Sequence, residues 1–149
     1  MGTQDPPGCG YGGYLLSDES YADFLLTFEV RPDWPADTGV LVGATELGSQ
    51  GFQVPWRWDD WNEMSVRCVG HYPTLTTWVN GVQVYELDTG SLAHPDYDRE
   101  AVAGLLGRAG HIALEVHDND PGRGRDRWAP EAVVRWRNIR LELLDETQL

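Results

Sequence analysis

Apolar and polar residues alternate along several short stretches of this 149-residue chain. In residues 21–31 (YADFLLTFEVR), Phe24, Leu26, Phe28 and Val30 share one face. Asp23, Thr27, Glu29 and Arg31 share the other, and only Leu25 breaks the rule. Period two predicts a strand with one face buried, closed by Pro32 and Pro35. Residues 38–44 (TGVLVGA) predict a buried strand, 48–51 a turn and 52–56 a short strand. In residues 63–70 (EMSVRCVG), Met64, Val66 and Cys68 share a face. Residues 75–79 and 82–87 flank Asn80-Gly81, a pair that tolerates the positive φ angles of a tight hairpin turn. A polar connection over 88–108 holds one helix candidate, Arg99–Leu106. Residues 111–117 (HIALEVH) alternate again, 118–130 form a charged Gly/Pro loop, and 133–144 predict a closing strand. The Gly/Pro-rich residues 1–13 read as a loose or edge-lying arm.

Eight or nine short strands with Gly/Pro turns and almost no helix define an all-β domain. The expected architecture is an antiparallel two-sheet sandwich, with 1–149 as a single domain. Charge narrows the partners. The formal net charge is −13, and all 11 basic residues are arginine. Without lysine there is no Schiff-base chemistry and no Gly-Lys-Ser/Thr phosphate loop. Strong acidity disfavours nucleic acid and anionic membranes, which leaves neutral substrates, cations or a basic partner. Cys9 and Cys68 have neither zinc spacing nor disulfide-scaffold density, and read as free thiols. With no signal-like start and no apolar run of membrane-spanning length, the expected location is cytoplasmic. A secreted or periplasmic origin stays open.

Several residues could carry chemistry. Glu115 and His117, two apart on a strand, leave the same face, opposite Ile112, Leu114 and Val116. A carboxylate beside an imidazole is a proton-transfer pair; a solvated polar face is the alternative. Arg135 and Arg137 share a face of the last strand, where a guanidinium can hold an oxyanion or sugar hydroxyls, or an ordinary ion pair. Trp56, Trp58 and Trp61 cluster with Arg57, Asp59 and Asp60. Rings beside acids suit a pyranose, though core packing competes for such rings. Asp118-Asn119-Asp120 lacks the continuation of a calcium loop and reads as a turn. His71, His94 and His111 are scattered, so no zinc set and no metal is indicated.

Longer segments in order resemble the 3-keto-disaccharide hydrolase family, a concanavalin A-like jelly roll. They are residues 12–30 (GGYLLSDESYADFLLTFEV), Asp37-Thr38-Gly39-Val40, Gly51-Phe52-Gln53-Val54, Trp61-Asn62-Glu63, residues 77–82 (TWVNGV), 110–117 (GHIALEVH) and 136–139 (WRNI). The chain departs from the family pattern at Gly43, Gln53, Pro55 and Glu115. The resemblance implies hydrolysis of a 3-keto-glycoside, with the C2 hydrogen removed, the C1 group expelled and water added back. It implies His117 as base, Arg137 as enolate partner and Glu115 as proton donor. Gln53, Trp56, Arg57, Trp58 and Arg135 would then bind the saccharide, without a cofactor. An oxidoreductase must first supply the ketone. A non-catalytic carbohydrate-binding module, a small subunit supporting a separate catalytic chain, and a homo-oligomer stay open as alternatives.

Overall fold

The core is organised around the strand whose alternation is cleanest. In the computed structural model the described residues are 1–6, 9, 11–34, 36, 38, 40–42, 45–46, 55–106, 108–119, 129 and 131–148. Nine strands and one helix occur among them: β1 (Gly13–Leu16), β2 (Phe24–Pro32), β3 (Val40–Val42), β4 (Thr45–Glu46), β5 (Asn62–Val69), β6 (Thr74–Val79), β7 (Val82–Asp88), α1 (Arg99–Leu106), β8 (Ile112–Val116) and β9 (Val134–Leu143). They form a four-stranded sheet, β1-β8-β3-β4, and a five-stranded sheet, β7-β6-β5-β2-β9, antiparallel throughout. This is the expected sandwich.

Phe24, Leu26, Phe28 and Val30 of β2 are buried, and with Val66, Leu75, Leu114 and Val134 they make the core shared by both sheets. Phe28 is fully enclosed, so trimming it to alanine should cost roughly 3–5 kcal/mol. Met64 and Cys68 pack against this core from β5, as the alternation required.

The hairpin turn and the helix fall on the residues expected for them. Asn80 and Gly81 have φ of 49° and 80°, joining β6 to β7 through a two-residue turn closed by the Val79–Val82 pair. Asp98 caps α1, its Oδ1 accepting from the amides of Glu100 (3.1 Å) and Ala101 (3.0 Å).

Of the two readings of the N-terminal arm, the structure shows the edge-lying one. Gly2 exchanges backbone hydrogen bonds with Val134, the Thr3 hydroxyl donates to Ala132 O at 2.7 Å, and Gln4 is buried. Residues 2–4 are therefore a docked extension at the start of β9, because the edge of β9 offers unpaired backbone groups there. Residues 48–54, which hold the expected turn and most of the expected short strand, lie outside the described set; 55–57 are not strand. Among the described residues no helix is long and apolar enough to cross a membrane.

The hairpin yields a test. Gly81→Asn should be nearly neutral, whereas Gly81→Val, forced into a left-handed backbone, should lose at least about 1 kcal/mol more in urea denaturation.

Candidate functional site

β8 lies between β1 and β3, and its Ile112, Leu114 and Val116 pack toward the core. Alternation turns Glu115 to the outer face of the four-stranded sheet, and His117 follows just past the strand's end. Glu115 is nevertheless only 7% exposed, and its Oε2 has no hydrogen-bond partner. An unmatched buried carboxylate oxygen is costly, and such atoms in native folds call for an explanation.

His117 is also shielded, its side chain 16% exposed. Its Nδ1 lies 2.8 Å from Asp118 O and 2.9 Å from Asp118 Oδ1. Both are acceptors, so Nδ1 is assigned the proton and donates it.

Three backbone features hold this end of β8. The Thr38 hydroxyl donates to Glu115 O at 2.5 Å, and Gln4 Nε2 donates to His117 O at 3.2 Å. Gly12 makes the third contact. A Cβ there would stand 2.4 Å from Val116 O and 2.6 Å from Asp118 N, so only glycine admits the approach. The β1–β8 register then sets Tyr14 directly opposite Glu115, on the same face.

The tryptophan segment comes to the same end of the sandwich. Asn62 is buried at the start of β5 and clamps residue 57 from both sides. Its Oδ1 accepts from Arg57 N (2.8 Å) and its Nδ2 donates to Arg57 O (2.9 Å). Asn80 adds a bond from Nδ2 to Pro55 O at 2.6 Å. Trp56 packs against the core while Trp58 is 67% exposed, so the two do not lie on one face. The reason is local: Trp58 and Asp59 form a turn, with Asp59 at φ 59°, and strand alternation does not apply. Trp58 instead meets Trp34 edge to face, ring centres 5.3 Å apart, and Trp34 is 76% exposed. The guanidinium of Arg57 is exposed. Gln53 lies outside the described residues.

The two arginines of β9 sit elsewhere. Arg137 is on the outer face of the five-stranded sheet, forked onto Glu29 through Nε–Oε2 (3.0 Å) and Nη2–Oε1 (2.9 Å). Its guanidinium lies 4.0 Å from the Trp61 ring centre. Asn138 also donates to Glu29. Arg135 pairs with Asp33 at 2.6 Å. The grouping of Arg137 with His117 and Glu115 is therefore corrected. The residues face outward from different sheets with the core between them. Arg135, expected to bind saccharide, is likewise occupied by a carboxylate of its own sheet.

Comparison with known proteins agrees with the architecture. Residues 38–142 match the model of the 3-keto-alpha-glucoside-1,2-lyase-like domain. The chain belongs to this family. Two crystal structures of candidate glycosyl hydrolases from Parabacteroides distasonis share its fold. One superposes with a TM-score of 0.62 at 16% identity, covering 90% of this chain and 84% of the other. The second gives 0.58 at 11% identity, covering 89% and 74%. No curated protein matches. The protein is thus glycoside hydrolase-like or lyase-like, on a jelly-roll sandwich.

Within this 3-keto-alpha-glucoside-1,2-lyase-like domain, the site brings together Glu115, His117 and the docked arm. Sequence reasoning missed Tyr14, Gln4 and Trp34. Trp34, a large ring between Asp33 and Pro35, was legible as an exposed loop aromatic. Tyr14 needed the β1–β8 register, and nothing local marks Gln4. Among the described residues no three His, Cys, Asp or Glu side chains are grouped to hold a metal.

Two outcomes follow from this geometry. Gly12→Ala should cost about 1–3 kcal/mol through overpacking against the β8 backbone and shift the His117 ring resonances in NMR. The second concerns acid. The Arg137 guanidinium, then the Asn138 amide, hold Glu29 below its ordinary carboxyl value of 4.5. Arg135 does the same for Asp33, ordinarily 3.8. A carboxyl whose pKa is lowered on folding stabilises the fold above its unfolded value and loses that contribution as pH falls through the folded one. The urea midpoint of Arg137→Gln should lie below the parent's at pH 7, and the gap should close below the ordinary carboxyl range.

Proposed function

We propose that the protein cleaves a 3-keto-glycoside by removing the C2 hydrogen and expelling the C1 substituent, with water then adding to the double bond. A ketone at C3 acidifies the C2 hydrogen, so a neutral imidazole suffices as base. His117 Nε2 takes that proton while Asp118 holds Nδ1. The C–H electron pair passes into the enediolate and returns to break the C1–O bond. The departing oxygen collects a proton from Glu115, with the Tyr14 phenol across the ladder. The enolate's partner in this reading is Arg57, whose guanidinium is exposed at the same end of the sandwich, in place of Arg137. Water adds back across the double bond and completes a net hydrolysis.

The observation that carries the reading is Glu115 Oε2. It is buried, has no hydrogen-bond partner, and belongs to the residue two before His117. The exposed Trp34–Trp58 pair favours a second reading, a saccharide-binding module without turnover, since such rings stack on sugar C–H faces.

Turnover of a 3-keto-glycoside in deuterated water decides between them. The parent protein should exchange the C2 hydrogen and ignore the unoxidised sugar, and His117→Ala should abolish both exchange and product. Glu115→Gln should slow turnover by about 10²–10⁴, the usual worth of a placed general acid. Saccharide binding without exchange, indifferent to His117→Ala and lost in Trp58→Ala, would establish the binding module instead.

A further inference from the structure

β9 closes one side of the five-stranded sheet, and among the described residues no strand lies beyond it. The docked arm covers only its start, where Gly2 and Val134 exchange backbone bonds. Past the bulge between Arg137 and Arg140, the direction of the backbone groups can be counted off. Leu144 N donates to Asp23 O, and Glu142 and Arg140 stand opposite Leu25 and Thr27 in the same register. Hydrogen-bonded and non-bonded pairs alternate along an antiparallel ladder, so Leu141 and Leu143 turn their N–H and C=O groups away from β2. Such an edge is a template for another strand. By alternation Ile139, Leu141 and Leu143 share one face, and Arg140 and Glu142 share the other. Ile139 is 51% exposed and Leu143 64%, although Leu141 between them packs against the core.

We propose that this edge pairs with the same edge of a second copy of the chain, antiparallel across a two-fold axis at Leu141. The run Ile139-Arg140-Leu141-Glu142-Leu143 is complementary to itself when read in opposite directions. A two-fold interface demands that self-complementarity, because each residue meets its own patch. In this register Leu141 meets the partner's Leu141 and exchanges both backbone bonds with it. On one face Arg140 meets the partner's Glu142, and Glu142 meets the partner's Arg140. On the other, Ile139 meets the partner's Leu143, which takes the exposed aliphatic side chains out of water together. The charges single out this occupant. Arg135 and Arg137 are paired within their own sheet, whereas Arg140 has no carboxylate partner among the described residues. Glu142 accepts from the Gln148 amide at 3.0 Å, a neutral donor that leaves its charge unmatched. The charges also fix the register. Moving the axis by one residue sets Arg140 against the partner's Arg140, or Glu142 against the partner's Glu142, and like charges directly opposite are destabilising.

Light scattering on the full chain, followed across micromolar concentrations, reads the outcome. The parent should approach twice its 16.7 kDa chain mass and dissociate on dilution, because the ladder is short. Arg140→Glu and Glu142→Arg each set like charges opposite one another at both pairs. Each should raise the dimer dissociation constant about tenfold or more. Mixed in equal amounts, the two single variants should form a heterodimer, since every charged pair across the ladder is then opposite in sign. The double variant Arg140→Glu/Glu142→Arg should dimerise as the parent does. Both side chains are exposed, and circular dichroism of each variant separates a lost interface from a lost fold. Should one single variant unfold, the other single and the double variant carry the same comparison. A parent of single-chain mass at every concentration would overturn the proposal. So would a dimer indifferent to the single variants, or single variants that stay monomeric when mixed.

Discussion

Four side chains of one strand, Phe24, Leu26, Phe28 and Val30, must leave water together, and the rest of the molecule is arranged around that requirement. β2 lies between β5 and β9, so its apolar face is continued sideways by Val66 and Val134. A sheet with one apolar face needs a second sheet to cover it. Leu114 on β8, with Ile112 and Val116 beside it, provides that cover. Burying this face is a contribution on the order of several kcal/mol per large side chain, more than any surface ion pair supplies.

That packing also decides where polar groups can go. With the inner faces committed, every second residue of β8, β2 and β9 is driven outward, on opposite sides of the sandwich. On the five-stranded side the outward residues meet each other across the ladder, and Glu29 with Arg137 and Asp33 with Arg135 form ion pairs. On the four-stranded side the outward Glu115 is shielded yet unmatched. The two outer faces thus differ in how their buried and half-buried charges are matched.

The two ends of the sandwich differ in the same physical sense. At the His117 end, Gln4, Thr38, Asn62 and Asn80 spend side-chain hydrogen bonds on backbone groups, making loops rigid enough to present side chains in fixed positions. At the other end the closure is an eight-residue helix beside apolar side chains of β2, β5, β6 and β7.

How much could be read from the chain alone follows from what each signal depends on. Period-two alternation, the Asn80-Gly81 turn and the extent of Arg99–Leu106 were legible because each is set by neighbours within a few residues. The family likeness added the jelly-roll expectation. The pairing of Tyr14 with Glu115, the burial of Gln4 against His117, and the separation of Arg137 from both were not legible. Each depends on which strands become neighbours and which way their sheet faces, a choice made by the whole core at once. Local chemistry thus determined which residues could act, and only the burial of the two inner faces decided which of them could act together.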